Sequence, residues 1–139
     1  MPDAQSVSEN DKITAERFHL DMIAKGQIDI ADEIIAPDCI IHSPMTGVGN
    51  TRGPERARQM AIMDAKIYPK GIKITHNIVI GEKDFVAFQW TIAATRENGE
   101  VDRLQGIDMV RMKNGKAVEM WIEYHDISKE NPNWKPNTE

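Results

Sequence analysis

The feature that most constrains this chain is Asn114-Gly115, set between two apolar-rich runs in Leu104 to Asp126 (LQGIDMVRMKNGKAVEMWIEYHD). A two-residue type I′ turn needs φ > 0 at both central positions, and Asn-Gly is among the pairs that meet this demand best. The stretch therefore predicts a β-hairpin. With Lys113 and Lys116 flanking the turn, an unbroken register pairs Met112 with Ala117, Arg111 with Val118 and Asp108 with Trp121. Opposed residues share a face, and faces alternate along each strand. One face would then carry Ile107, Met109, Val118, Met120, Ile122 and Tyr124. The other would carry Gly106, Asp108, Val110, Glu119, Trp121 and Glu123. Asp108 is the odd member, because Asp is disfavoured in mid-strand. It is either an acid or base at the floor of a pocket or a solvated residue on the wet side of a two-layer sheet. The pattern by itself favours the solvated reading, since the first face is the more apolar.

Upstream the period is helical. Ser6 and Glu9 have capping-box spacing, so a helix is expected to start near Val7 or Ser8. Ala15, Phe18, His19, Met22 and Ile23 then recur on one helical face, and Gly26 closes the helix. A His on such a stripe is either a packed core residue or a group pointing into a cavity. A second short helix is expected from Ile28 to Ile35, stopped by Pro37. Cys39 to His42 reads as a short strand and Met45 to Gly53 as a loop. Gly53-Pro54 starts a third helix to about Ile67, with Ala57, Met60, Ala61, Asp64 and Ile67 on one stripe. Arg52, Arg56 and Arg58 at its start read as loose surface arginines. Beyond Gly71 the period becomes alternating. Ile72, Ile74, His76, Ile78 and Ile80 share one face of a long strand, and Val86, Phe88, Trp90 and Ile92 share one face of the next. The order α-α-β-α-β-β-β-β gives an α+β fold, with N-terminal helices collected on a curved, mostly antiparallel sheet. A sheet curled around helices encloses a conical cavity, a default small-ligand site. Residues 1–126 are expected to form one domain and 127–139 a polar tail, with Trp134 able to pin it back.

Composition excludes several classes. The 139 residues carry a net charge of −5 with scattered basic residues, which argues against nucleic acid as a partner. One cysteine, Cys39, excludes an internal disulfide, and its apolar surroundings suit a core residue. Neither a signal peptide nor a membrane-length apolar run is visible, so a soluble, cytoplasmic chain is expected. The four histidines at 19, 42, 76 and 125 lack ligand spacing, so no metal is expected. Without a Gly-rich phosphate loop or nucleotide fingerprint, no cofactor is expected either. His76 and His125 read as structural or surface residues.

Four segments, Lys25-Gly26-Gln27-Ile28, Ala36 to Pro44 (APDCIIHSP), Arg52-Gly53-Pro54-Glu55 and Gly106 to Trp121, resemble the SnoaL-like polyketide cyclases of predicted ester cyclase type. These belong to the nuclear transport factor 2-like superfamily of cone-shaped α+β barrels, and the resemblance runs from Thr14 to Asp126. It implies that Asp108 faces the cavity, with the outer side of the sheet making a homodimer. An apolar cone disfavours the charged form of a carboxyl, which suits a group that must hold and release a proton. The implied function is cofactor-free acid/base chemistry, an aldol-type cyclisation or isomerisation, on a hydrophobic polyketide- or steroid-like carbonyl compound. The alternative is a non-catalytic domain binding a hydrophobic ligand in the same cavity. Asp108 and His42 are the implied catalytic residues. His19, Ser43, Trp90, Trp121 and Glu123 are the implied substrate contacts. Departures narrow the reaction. Ser43 stands where the isomerases carry their base, Arg96-Glu97-Asn98 replaces a cyclase histidine, and Gln89-Trp90-Thr91 lacks the Arg-x-Asp of the epoxide hydrolases.

Overall fold

A computed structural model describes residues 7–44 and 52–127. Ser6, residues 45–51 of the expected loop, and residues 128–139 of the expected tail, Trp134 among them, lie outside the described residues. Helix α1 (Glu9–Arg17) is capped by Ser8 rather than two residues earlier. The Ser8 hydroxyl accepts from Asp11 N at 3.0 Å, and the Asp11 carboxylate accepts from Ser8 N at 3.2 Å, a reciprocal capping box. The helix runs on as a π-helical segment, Phe18–Ile23, with the Ala24 amide donating to His19 O at 2.9 Å. All five residues of the expected stripe, Ala15, Phe18, His19, Met22 and Ile23, are buried.

The second helix is shorter than expected. A 3-10 turn (Ile28–Ile30) leads into α2 (Ala31–Ile34), and strand β1 (Ile35–His42) begins at once. Pro37 therefore interrupts a strand rather than stopping a helix. It sits where the β1 register breaks between Ile35 and Ile40, on a sheet edge that can spare an N–H. Helix α3 (Gly53–Ile67) starts where expected, with Pro54 in its first turn. Gly53 has φ +74, and a Cβ there would lie 2.5 Å from the Pro37 carbonyl oxygen, so only glycine fits. Arg56 is buried, contrary to expectation, and donates Nε to the Ile41 carbonyl at 3.1 Å.

Strands β2 (Ile72–Glu82), β3 (Phe85–Thr95), β4 (Val101–Lys113) and β5 (Lys116–Asp126) complete a five-stranded sheet of order β1-β5-β4-β3-β2. The β1–β5 pair is parallel and the others are antiparallel, giving a mixed sheet. The Asn114-Gly115 turn is as expected, with φ of 53° and 78°. The register beyond it is not. Met112 pairs with Ala117, but Arg111 pairs with Glu119, so Val118 is an extra residue in a β-bulge. A one-residue slip moves every later side chain to the opposite face. Asp108 consequently shares the inner face with Gly106, Val110, Met120 and Ile122, while Trp121 and Glu123 turn outward with Ile107 and Met109. A second bulge between His76 and Ile78 does the same to β2. Ile72, Ile74 and His76 face inward, whereas Ile78 and Ile80 are about 60% exposed (58% and 61%).

The three helices cover the inner face, and the core lies between. Among the described residues, no helix is long and apolar enough to cross a membrane.

Candidate functional site

The alternation of β3 points Phe88 and Trp90 inward, and that of β4 points Asp108 at the same place, opposite Phe88 in register. Asp108 is completely buried. One of its oxygens, Oδ1, accepts from Trp90 Nε1 at 2.8 Å. The other, Oδ2, lies 3.0 Å from His19 Nε2 but off the line of a ring N–H, so it receives no well-directed bond. A carboxylate left half-satisfied in a dry interior is costly, a cost that a proton or a donor at this oxygen would relieve.

His19 is placed by the π-helical segment, a helix irregularity often found at functional sites. Its ring stands edge-on to Phe88 and Trp90, with centroids 5.3 and 5.2 Å away. Its Nδ1 lies 3.2 Å from His76 Nε2, and His76 Nδ1 lies 2.8 Å from Glu16 Oε2. His76 is stacked on Phe88 with a centroid separation of 4.3 Å. Burial lowers its pKa, an effect that the Glu16 carboxylate opposes and the neighbouring His19 reinforces.

Below the first helix opens a cavity. Its interior offers about 50 Å³ to the centre of a water molecule, whereas a single water needs roughly 10–15 Å³. The space therefore suits a compact organic molecule. Its walls are mainly apolar, from Phe18, Ile23, Met60, Ile72, Ile92 and Leu104, with polar groups from His19, Ser43, Asp64, Tyr68 and Tyr124. Trp90 also lines it, whereas Asp108 lies behind His19 and Trp90 and does not itself form the wall. Asp64, on the inner stripe of α3, has its carboxyl pushed up to about 6 by burial, which the nearby His19 opposes. Burial also raises the Tyr124 phenol, reinforced by the Asp64 charge. Tyr68 donates to Asp102 Oδ2 at 2.8 Å beneath the Arg96 guanidinium, and burial ahead of that bond raises its phenol.

Of the residues expected at the site, His19, Ser43, Trp90 and Asp108 gather at or directly behind the cavity. Three others do not. His42 follows the inward-facing Ile41, so strand alternation turns it outward. There it meets Glu119 Oε2 at 2.7 Å and stacks on Trp121 with centroids 5.5 Å apart. Trp121 and Glu123 lie on the same outer face because the Val118 bulge reverses their side. His76, Glu16 and Asp64 are the residues that the sequence pattern did not single out. Asp64 carried a usable signal, a carboxylate on an otherwise apolar helical stripe. Cys39 is buried and its thiol is pushed up to about 12, chiefly by burial, as suits a core residue. Among the described residues, no three His, Cys, Asp or Glu side chains converge in a way that could hold a metal.

A family model for the SnoaL-like polyketide cyclases matches residues 13–130. The chain belongs to that family. Its SnoaL-like fold recurs in distant solved structures. An NTF2-like protein from Anabaena variabilis superposes with a TM-score of 0.70 at 16% identity, covering 90% of this chain and 97% of that one. TsrD from Streptomyces laurentii gives 0.71 at 17% identity, covering 85% and 90%. Wild-type IdmH from Streptomyces antibioticus gives 0.68 at 19% identity, covering 87% and 94%. At these identities the likeness is one of fold. No similar curated protein was found.

Proposed function

We propose that this SnoaL-like domain catalyses proton transfer on a small hydrophobic carbonyl compound, in the manner of an aldol-type cyclase or isomerase. The observation that carries the reading is the sealed Asp108, one oxygen fixed by Trp90 and the other 3.0 Å from a histidine in the cavity wall. Both reactions begin with enolisation, in which carbon next to the carbonyl loses a proton and the carbonyl oxygen gains hydrogen-bond or proton donation. Two titratable groups in different environments divide such work between them. His19, held by Asp108, serves one side of the cavity. Asp64, whose carboxyl titrates near 6, serves the other. In this reading His19 meets the substrate through Nε2, which does not line up with Asp108 Oδ2 and can be shared with the cavity. Asp64 meets it from the other side, and Asp108 acts through His19.

The test is deuterium incorporation into cyclohexanone in D2O, followed by NMR. Exchange faster than in buffer, and lost in Asp108→Asn, is the expected result. The second reading, a non-catalytic binder, draws support from the screening of Asp108 behind His19 and Trp90. It would be favoured by tight binding with exchange no faster than in buffer.

The exposed outer face of the sheet supports a homodimer. Ile107 is 57% and Met109 39% exposed on β4, and the exposed Ile78 and Ile80 stand on β2, one strand further across, with Gln89 and Ala87 of β3 between the two pairs. Exposed apolar side chains of this size on one sheet face suit a second copy better than water.

A further inference from the structure

Glu16, His76 and His19 form a file of close contacts between the edge of α1 and Asp108, hydrogen-bonded as far as His19 and completed by the short, off-line approach of His19 Nε2 to Asp108 Oδ2. Glu16 and His19 are three residues apart on one helical face, so both reach the single His76 of β2. The contacts are 2.8 Å from Glu16 Oε2 to His76 Nδ1, 3.2 Å from His76 Nε2 to His19 Nδ1, and 3.0 Å from His19 Nε2 to Asp108 Oδ2. The side chains of Asp108, His19 and His76 are 0%, 3% and 4% exposed, and that of Glu16 is 22%. The file thus leads from a sealed carboxyl to water.

Counting protons fixes its state. An ionised Glu16 can only accept, so a neutral His76, the form that its burial favours, carries its proton on Nδ1 and leaves Nε2 bare. The bare Nε2 must then accept from His19 Nδ1–H. That leaves His19 Nε2 bare as well, facing Asp108 Oδ2. Two lone-pair atoms cannot stay 3.0 Å apart in a dry core without repulsion, so one proton lies between them. The file is loaded at its inner end.

We propose that Glu16 and His76 form a proton relay that exchanges the proton held by the Asp108–His19 pair with solvent; this rests on the proton-transfer reading above. In the discharging direction Asp108 gives its proton to His19 Nε2, and His19 Nδ1 gives one to His76 Nε2. His76 Nδ1 then gives one to Glu16 Oε2, which releases it to water. Each histidine gains one proton and loses one, Asp108 ends as carboxylate, and the reverse order reloads the pair. His76 and Glu16 are therefore positioning residues that work through His19. The groups facing His76 are Glu16 from α1, His19 from the π-helical segment and Asp108 from β4, with Phe88 of β3 stacked on its ring.

Glu16→Gln separates transfer from structure, because its amide oxygen still accepts from His76 but cannot carry a proton. The expected result is a fall in cyclohexanone deuterium exchange of roughly 10- to 100-fold, the lower part of the range for a positioned proton-transfer group. The unfolding midpoint should stay at the wild-type value, and Glu16→Asp should restore part of the rate. Wild-type exchange in Glu16→Gln would overturn the relay while leaving the proton-transfer reading intact. Histidine tautomers, read by ¹⁵N NMR on the full chain without substrate, supply the independent arm. Protons on Nδ1 of both His19 and His76 support the relay, and a neutral His76 protonated on Nε2 overturns it. If the wild-type chain catalyses no exchange, the proton-transfer reading falls and the tautomers alone decide whether the file is connected as drawn.

Discussion

Replacing Trp90 by Phe removes the one well-directed hydrogen bond that Asp108 receives, the 2.8 Å contact from Nε1. A hydrogen bond to a charged group is worth about 1.5–3 kcal/mol. The missing pyrrole half of the ring adds on the order of 1 kcal/mol, since Trp90 is only 2% exposed. The expected destabilisation is therefore about 2–4 kcal/mol, a fall in Tm of roughly 6–20 °C for a domain of this size. Urea unfolding followed by far-UV circular dichroism measures it without relying on the substituted fluorophore. The attribution is checked by repeating the change in an Asp108→Leu background, where the acceptor is already gone. There Trp90→Phe should cost only about 1 kcal/mol, a coupling of the size seen for contacting pairs. Equal costs in the two backgrounds would refute the claim that Trp90 stabilises the fold through Asp108.

Two further predictions follow from the same neighbourhood. Gly106→Ala should destabilise by about 1–3 kcal/mol in the same urea assay, because a Cβ there would lie 2.5 Å from the Trp90 ring and against the Glu123 carbonyl oxygen. Asp64 is an acid whose folded pKa, about 6, lies above its ordinary 3.8, so the folded state binds the extra proton between these values and stability falls as pH rises through that window. The difference corresponds to on the order of 3 kcal/mol. Asp64→Asn should accordingly flatten the decline of stability between pH 4 and pH 7, read by urea midpoints across that range; an unchanged decline would contradict the burial of that carboxyl.

The elements set by local chemistry were legible in the sequence. Asn114-Gly115 located the hairpin, Pro54 the start of α3, and the Ala15-to-Ile23 stripe the buried side of the first helix. The two β-bulges were not legible, because apolar residues continue past each on the side that turns to solvent, Ile78 and Ile80 on β2 and Ile107 and Met109 on β4. Ile107 and Met109 are as hydrophobic as Val110 and Met120, so hydrophobicity cannot report a slip of one residue. That ambiguity sent Trp121 and Glu123 to the wrong side and made Asp108 look solvated on pattern alone. His42 was misplaced for a related reason: in a short apolar run, alternation starts from an end that the sequence does not mark. The file from Glu16 to Asp108 joins residues up to 92 positions apart (108 − 16). No spacing rule brings together a helix carboxylate, a helix histidine and a strand histidine. Only the packing of α1 on β2 does so.

The central claim, that the Asp108–His19 pair moves protons for a bound carbonyl compound, is tested most directly by measuring affinity and exchange together in Asp108→Asn. Cyclohexanone binding is read from quenching of tryptophan fluorescence, and its deuterium exchange from NMR on the same samples. The account predicts an unchanged Kd, since Asp108 does not form the cavity wall, with exchange reduced about 10²- to 10⁴-fold. Exchange at the wild-type rate, or a loss wholly explained by weaker binding, would contradict it.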